Sequence, residues 1–176
     1  GCLAKQILSL QNITIKSFVT QIGEERRDAF SNEEIQDILQ KIKERRDTVG
    51  AVVRVEVDNV PVGIGEPYFR KLQSVLAQAM FSINAVKGFE YGDGFEMAKM
   101  YGSQCLDIFN NDLSLQSNHS GGIQGGISNG EDIFFRVAFK PTPTIGIAQQ
   151  TVDKNLNAVT LEAKGRHDPC VVPRAV

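Results

Sequence analysis

An α+β fold is what this sequence predicts, and three observations carry it. One amphipathic helix with its own start signal lies at residues 31–47. Strand-like alternation recurs at residues 13–19, 51–60 and 133–139. The two patterns interleave with no internal repeat and no charge-run linker between them. At 176 residues, 41% apolar and 23% charged, the chain has the composition of an ordinary globular protein and can hold one sizeable core or two small ones. A single domain over 1–176 is the expected organisation.

The elements follow in order. Residues 13–19 (ITIKSFV) alternate well enough for a half-buried strand. In SNEEIQDILQKIKERRD, Ser31 caps the helix and Glu34, three residues on, completes a capping box. Ile35, Ile38, Leu39 and Ile42 then share one face, while Glu33 and Glu34 suit the positive end of the dipole and Arg45 and Arg46 the negative end. AVVRVEVDNV sets Val53, Val55 and Val57 opposite Arg54, Glu56 and Asp58, a strand with one dry face. Pro67 is expected to start a second helix with Phe69, Leu72, Leu76, Ala79 and Met80 as its buried stripe. IFFRVAF and NAVTLEA read as strands, separated by a Pro-rich turn and a polar hairpin.

Charge and cysteines narrow the function. Nineteen basic against twenty-one acidic residues give a net charge of -2, and the one basic block is residues 41–46. Nucleic acid is therefore not an expected partner, because phosphate contacts demand a positive footprint. No apolar run reaches membrane-spanning length, and no charged-then-apolar leader opens the chain. Cys2, Cys105 and Cys170 are far apart with no CxxC pair, so reduced thiols in the cytoplasm are expected, with no disulfide scaffold and no metal site. The start at Gly1 and the stop at Val176 straight after an apolar run suggest that both ends are cut.

Chemistry concentrates in three stretches. Residues 117–130, SNHSGGIQGGISNG, hold five glycines that match neither a P-loop nor a dinucleotide fingerprint. GISNG matches the GxSxG pattern with Ser128 as nucleophile, but a strand-like run follows it where an elbow needs a helix. Its relay would need His167 and Asp168, which are adjacent in sequence and badly placed for one another. A serine hydrolase is thus disfavoured, and a tight turn where two backbones cross is the plain alternative. KPTPTI (140–145) and GRHDPC (165–170) add Lys140, Thr142, Thr144, Arg166, His167 and Asp168. Cations, hydroxyls, an ionisable pair and a glycine cradle together suit an anionic ligand that carries phosphate and a polar ring system.

NVPVGIGEPYFRKL, AMFSINAVKGFEYGDGF, SNHSGGIQGGISNGEDI, RVAFKPTPTI and GRHDPCVVPRAV, in that order and spacing, resemble the successive blocks of chorismate synthase. The resemblance implies a β-α-β sandwich with a central helical layer, incomplete in this chain and assembled as a homotetramer. It implies a phosphate-eliminating carbon–oxygen lyase at the last step of the shikimate pathway. That reaction converts 5-enolpyruvylshikimate 3-phosphate to chorismate by 1,4-elimination and requires reduced FMN without net oxidation. By the same resemblance Asn84, Ala85 and Gly125 lie against the flavin, and Lys140, Pro141, Thr142, Pro143 and Thr144 hold its phosphate and ribityl side. Arg166 sits where flavin meets substrate, and Asp168 handles a proton. Ile123 and Ile127 anchor the glycine loop, Asn118 and Asn129 satisfy turn backbone, and His119 is structural. The family's FGESHG block, arginine-rich loop and GGGRSSARE block have no counterpart here, and GCLAKQIL resembles the helix that follows the last of them. The chain thus corresponds to roughly the second half of the enzyme, inactive by itself. The competing expectations are a flavin- or nucleotide-binding fragment without chemistry, and the Ser128 hydrolase.

Overall fold

The helix at residues 31–47 shows how closely local signals are obeyed in this chain. Ser31 Oγ accepts the N–H of Glu34 at 3.2 Å, and Glu34 Oε2 accepts the N–H of Ser31 at 2.8 Å, so the capping box is closed in both directions. The helix runs Asn32–Glu44; Leu39 is buried, and Ile35, Ile38 and Ile42 beside it are half-buried. The structure is a computed structural model that describes residues 1–66, 68–163, 165 and 167–172.

In chain order the elements are α1 (Cys2–Ser9), β1 (Thr14–Ile22), β2 (Glu25–Arg26), α2 (Asn32–Glu44) and β3 (Ala51–Asp58). Then come α3 (Leu72–Phe81), β4 (Val86–Tyr91), β5 (Ile123–Gln124), β6 (Ile127–Ser128), β7 (Ile133–Phe139), β8 (Gln149–Val152) and β9 (Ala158–Leu161). Helices and sheet make an α+β fold. A five-stranded sheet has the order β2-β1-β3-β7-β4, with β5–β6 and β8–β9 as separate two-stranded hairpins. The chain divides into two compact units, Gly1–Phe18 with Arg54–Val137, and Val19–Val53 with the chain from Ala138 onward. Among the described residues no helix is long and apolar enough to cross a membrane.

β7 has the cleanest strand signature. Ile133, Phe135, Val137 and Phe139 are buried, while Phe134, Arg136 and Ala138 between them are half-buried. Inside the first unit the Phe135 ring meets Phe89 of β4 at 5.4 Å. The alternate residues are occupied as well. Arg54 of β3 lies over the Phe134 ring at 4.6 Å and pairs with Glu56 at 2.8 Å. Arg136 Nε stands 2.8 Å from Glu90 Oε1 as an ion pair, out of line for a hydrogen bond.

Three expectations meet corrections. Pro67 lies outside the described residues, and the helix expected from it begins only at Leu72, after a 3-10 turn at Tyr68–Arg70. Tyr68 has φ +68, a left-handed conformation that an α-helix cannot absorb. Phe69 therefore leaves the expected stripe and is 95% exposed, and Ala79 is exposed as well. Leu72, Leu76 and Met80 keep their spacing and are half-buried. β4 and β8 were not read as strands. Gly88 and Lys87 break the alternation of VKGFEY, and β8 is exposed along its whole length.

Ser31→Ala should lower stability by about 1 kcal/mol, the ordinary loss for an N-cap hydroxyl. Glu33→Gln, one residue outside the box, should change the melting temperature far less. The hydrogen bond from the Ser31 backbone holds the Glu34 carboxyl below its ordinary value. The box is therefore intact above the ordinary carboxylate range and weakens as pH falls through the lowered folded value, which melts followed down to acid pH will show.

Candidate functional site

The glycine loop is built from backbone crossings. A Cβ on Gly121 would collide with the Gly92 backbone, and one on Gly122 would come within 2.7 Å of the Asp132 carbonyl. One on Gly126 would strike the Lys71 side chain at 2.6 Å. Across the β5–β6 hairpin Ile123 pairs with Ser128 and Ile127 with Gln124; Ile123 is only 3% exposed and anchors the loop, whereas Ile127 is half-buried. Gly125 and Gly126 form its turn with φ of +62 and +94, the pair of left-handed residues that a two-residue hairpin favours. Gly125 differs from its neighbours: a Cβ there would meet nothing within 4 Å. The loop thus has one open glycine face.

Polar side chains fasten the rest. Asn118 Oδ1 accepts the N–H of Gly122 at 2.8 Å, and its Nδ2 donates to the Asp132 carbonyl at 2.8 Å. Asn129 Oδ1 accepts the N–H of Glu131 at 3.1 Å. His119 Nδ1 lies 2.5 Å from Asp93 Oδ2, a tie between the loop and the turn after β4. Asp107 accepts the Ser117 hydroxyl at 2.8 Å and the N–H groups of His119 and Ser120 at 2.7 and 2.9 Å. Burial pushes the Asp107 carboxyl up, but the donors from Ser120, Ser117 and His119 outweigh it and hold the group below its ordinary value.

Ser128 is not a nucleophile. It is 2% exposed, its hydroxyl donates to the Pro61 carbonyl at 2.6 Å, and it accepts the N–H of Ile64 at 2.8 Å. It lies on β6 of a short hairpin with no helix behind it. The GxSxG match is a by-product of glycines needed for close backbone approach.

Asn84 is exposed and Ala85 half-buried in the connection from α3 to β4, where Ala85 takes φ +72. Leu72, the first residue of α3, donates its N–H to the Gly126 carbonyl at 2.8 Å. The ten residues of α3 therefore separate Gly125 and Gly126 from Asn84 and Ala85 by about 15 Å of helix. The structure does not set these two groups side by side.

In the second unit, residues 48–50 act as a strap that sequence reasoning missed. The Thr48 hydroxyl donates to the Thr142 carbonyl at 2.6 Å, and the Val49 N–H donates to the Pro169 carbonyl at 2.8 Å. Gly50 fits under the end of β7, since a Cβ there would stand 2.6 Å from the Phe139 carbonyl and 3.3 Å from the Pro141 ring. One three-residue segment so gathers the KPTPT run and the segment that carries Asp168. A hydroxyl and a main-chain N–H with distant partners leave no mark in sequence; only Gly50 ahead of a valine-rich strand could have signalled the strap.

Lys140, Pro141, Pro143 and Thr144 are exposed, and Thr142 and Asp168 are half-buried. Lys140 makes no ion pair among the described residues. The Thr142 Oγ1 is buried and has no hydrogen-bond partner among them either. Arg166 lies outside the described residues. His167 Nε2 is 3.3 Å from the Ala163 carbonyl and helps to line a cavity of about 380 Å³ together with Lys43, Arg46 and Asp47. Within the second unit a cation and an orphaned hydroxyl suit a phosphate, and within the first a glycine with an open face suits a flat ring, so each group by its own chemistry fits a part of FMN.

Gly121→Ala and Gly125→Ala separate crossing from conformation, since both positions have φ +62. Gly125→Ala should cost about 1–2 kcal/mol, the strain of a left-handed side chain. Gly121→Ala adds the collision with Gly92 and should be markedly less stable or fail to fold. Equal melting temperatures would refute the crossing.

The family model described as chorismate synthase matches residues 1–176. Curated relatives named chorismate synthase include those of Cytophaga hutchinsonii, 47% identical over 201 residues, and Porphyromonas gingivalis, 46% identical over 201 residues. They align with 100% of this chain and with 56% and 55% of the relatives. The chain thus spans about half the length of the curated relatives it matches. A solved structure titled "Crystal Structure of Chorismate Synthase" superposes with a TM-score of 0.73 at 34% identity, over 81% of this chain and 53% of that one. With the whole chain matched by the family model, this protein belongs to the chorismate synthase family.

Proposed function

We propose that this chain supplies the flavin-holding and proton-handling part of a chorismate synthase. The enzyme eliminates phosphate from 5-enolpyruvylshikimate 3-phosphate to give chorismate. In that reaction a ring C–H bond breaks, a C=C bond forms and the C–O bond to phosphate breaks, so a proton and the phosphate leave with no net oxidation. Reduced FMN, when bound, supplies the electron-rich ring that assists this elimination. Assembly as a homotetramer in the cytoplasm, and a single domain over this segment, belong to the same proposal and rest on the family.

One observation carries the reading. The strap at residues 48–50 gathers, within one unit, Lys140 and the Thr142 hydroxyl, both without a partner among the described residues, and the Asp168 segment. Lys140 would neutralise the cofactor's phosphate, and the Thr142 and Thr144 hydroxyls would donate to phosphate or ribityl oxygens. Pro141 and Pro143 fix the backbone of that run, because a pyrrolidine ring leaves little freedom in φ. The open face of Gly125 admits the ring at van der Waals distance, and Asn84 and Ala85 contact the flavin from beyond α3. Arg166 would hold an anion where substrate meets flavin. Asp168 would accept and hold a proton.

The test is made on a full-length chain carrying these residues. Lys140→Ala should raise the FMN dissociation constant about tenfold to a hundredfold and leave the rate at saturating FMN nearly intact, since it touches the handle of the cofactor. Asp168→Asn should bind FMN almost normally and turn over roughly a hundredfold more slowly or worse. The opposite pattern would show both assignments wrong. The 176 residues alone should form no chorismate. Full aerobic activity of the intact enzyme without flavin would refute the proposal as a whole.

A further inference from the structure

The glycine loop has two feet. At its end, Ser128 is locked in the core between Pro61 and Ile64. At its start, three donors from residues 117–120 close around one carboxylate, ten residues upstream of the first of them. Asp107 Oδ1 accepts the Ser117 hydroxyl and the His119 N–H, and Oδ2 accepts the Ser120 N–H, so both oxygens are committed. Charge-assisted bonds of this kind are stronger than neutral ones. Gly121 and Gly122 follow directly, then the β5–β6 hairpin with Gly125 at its turn. Glycines cannot transmit rigidity through side chains. The direction in which the hairpin leaves its start is therefore set by how the preceding residues are held.

We infer that Asp107 is a positioning residue for flavin binding, fixing the start of the glycine loop and so the angle at which the open face of Gly125 meets the ring. This rests on the flavin reading above. Asp107 acts through the loop and touches neither ring nor substrate. Exchange for asparagine keeps the size but turns one acceptor into an NH₂ that faces an N–H or O–H donor, so the start of the loop loses at least one bond and gains a repulsion.

A matched control exists in Asp153. Its carboxylate does the same local work in the β8–β9 turn, accepting the N–H groups of Asn155 and Asn157 at 2.8 and 2.9 Å. The experiment titrates FMN into the full-length chain as wild type, Asp107→Asn, Ser117→Ala and Asp153→Asn, and records dissociation constant, the visible absorption band of bound flavin, melting temperature and turnover at saturating FMN. Asp107→Asn should raise the dissociation constant about tenfold and change the band, with saturated turnover within about threefold of wild type. Ser117→Ala, which removes one donor, should raise the constant about threefold and keeps the test open where Asp107→Asn does not fold. Asp153→Asn should lower the melting temperature and leave affinity and band unchanged. A wild-type constant and band in Asp107→Asn overturn the inference. So does an equal affinity loss in Asp153→Asn, or, where Asp107→Asn does not fold, a wild-type constant in Ser117→Ala. A wild-type chain that binds no FMN overturns the flavin reading itself, and the inference with it.

Discussion

In both compact units, backbone lies where a Cβ atom would stand, and the placement of the glycine loop and of the strap at residues 48–50 depends on that. Gly121 crosses Gly92, Gly126 packs on Lys71 and hands its carbonyl to the first N–H of α3, and Gly50 slides beneath the end of β7. At Gly121 and Gly50 main chain lies directly on main chain, and at Gly126 it lies on the Lys71 side chain. The gain is positional: a loop held at backbone distance has few ways to move. The loss is tolerance, since any other residue at Gly121 or Gly50 must shift main chain, and at Gly126 the inner part of the Lys71 side chain.

Four of the five glycines of residues 117–130 therefore do two different jobs. Gly121, Gly122 and Gly126 are buried and spent on packing, whereas Gly125 is exposed and faces open space. A flexible linker would need none of the anchors found here: the buried Ile123, Asn118 and Asn129 bonded to backbone, and the Asp93–His119 and Asp107 contacts. The polar residues set among the glycines are the fastenings of a rigid loop.

Much of this was legible in the sequence where a local rule decides the outcome. The Ser31–Glu34 capping box and the period of two in β7 both act over a few residues, and both appear as read. Failures occur where a distant partner decides. Nothing near Pro67 announces that Tyr68 turns left-handed and delays α3 to Leu72. The strap at residues 48–50 works through a hydroxyl and a main-chain N–H that bond residues about a hundred positions away, which no spacing rule can detect. Gly125 could be singled out among five glycines only by resemblance to a family; its open Cβ direction is a property that no sequence rule announces.

Ser128 carries the same lesson from the other side. A GxSxG spacing asks only for a serine between glycines, and a buried hairpin foot meets that requirement as well as a nucleophile does. The difference lies in where the hydroxyl's bonds go. A nucleophile needs a free lone pair near solvent and a base in reach. Ser128 gives its proton to the Pro61 carbonyl and receives the Ile64 N–H, so its hydroxyl is spent on joining two segments of backbone. With its hydroxyl committed to structure, Ser128 supplies no nucleophile. In the second unit the strap at residues 48–50 donates its two long-range bonds to the main-chain carbonyls of Thr142 and Pro169, while Lys140 makes no ion pair and the buried Thr142 Oγ1 no hydrogen bond among the described residues.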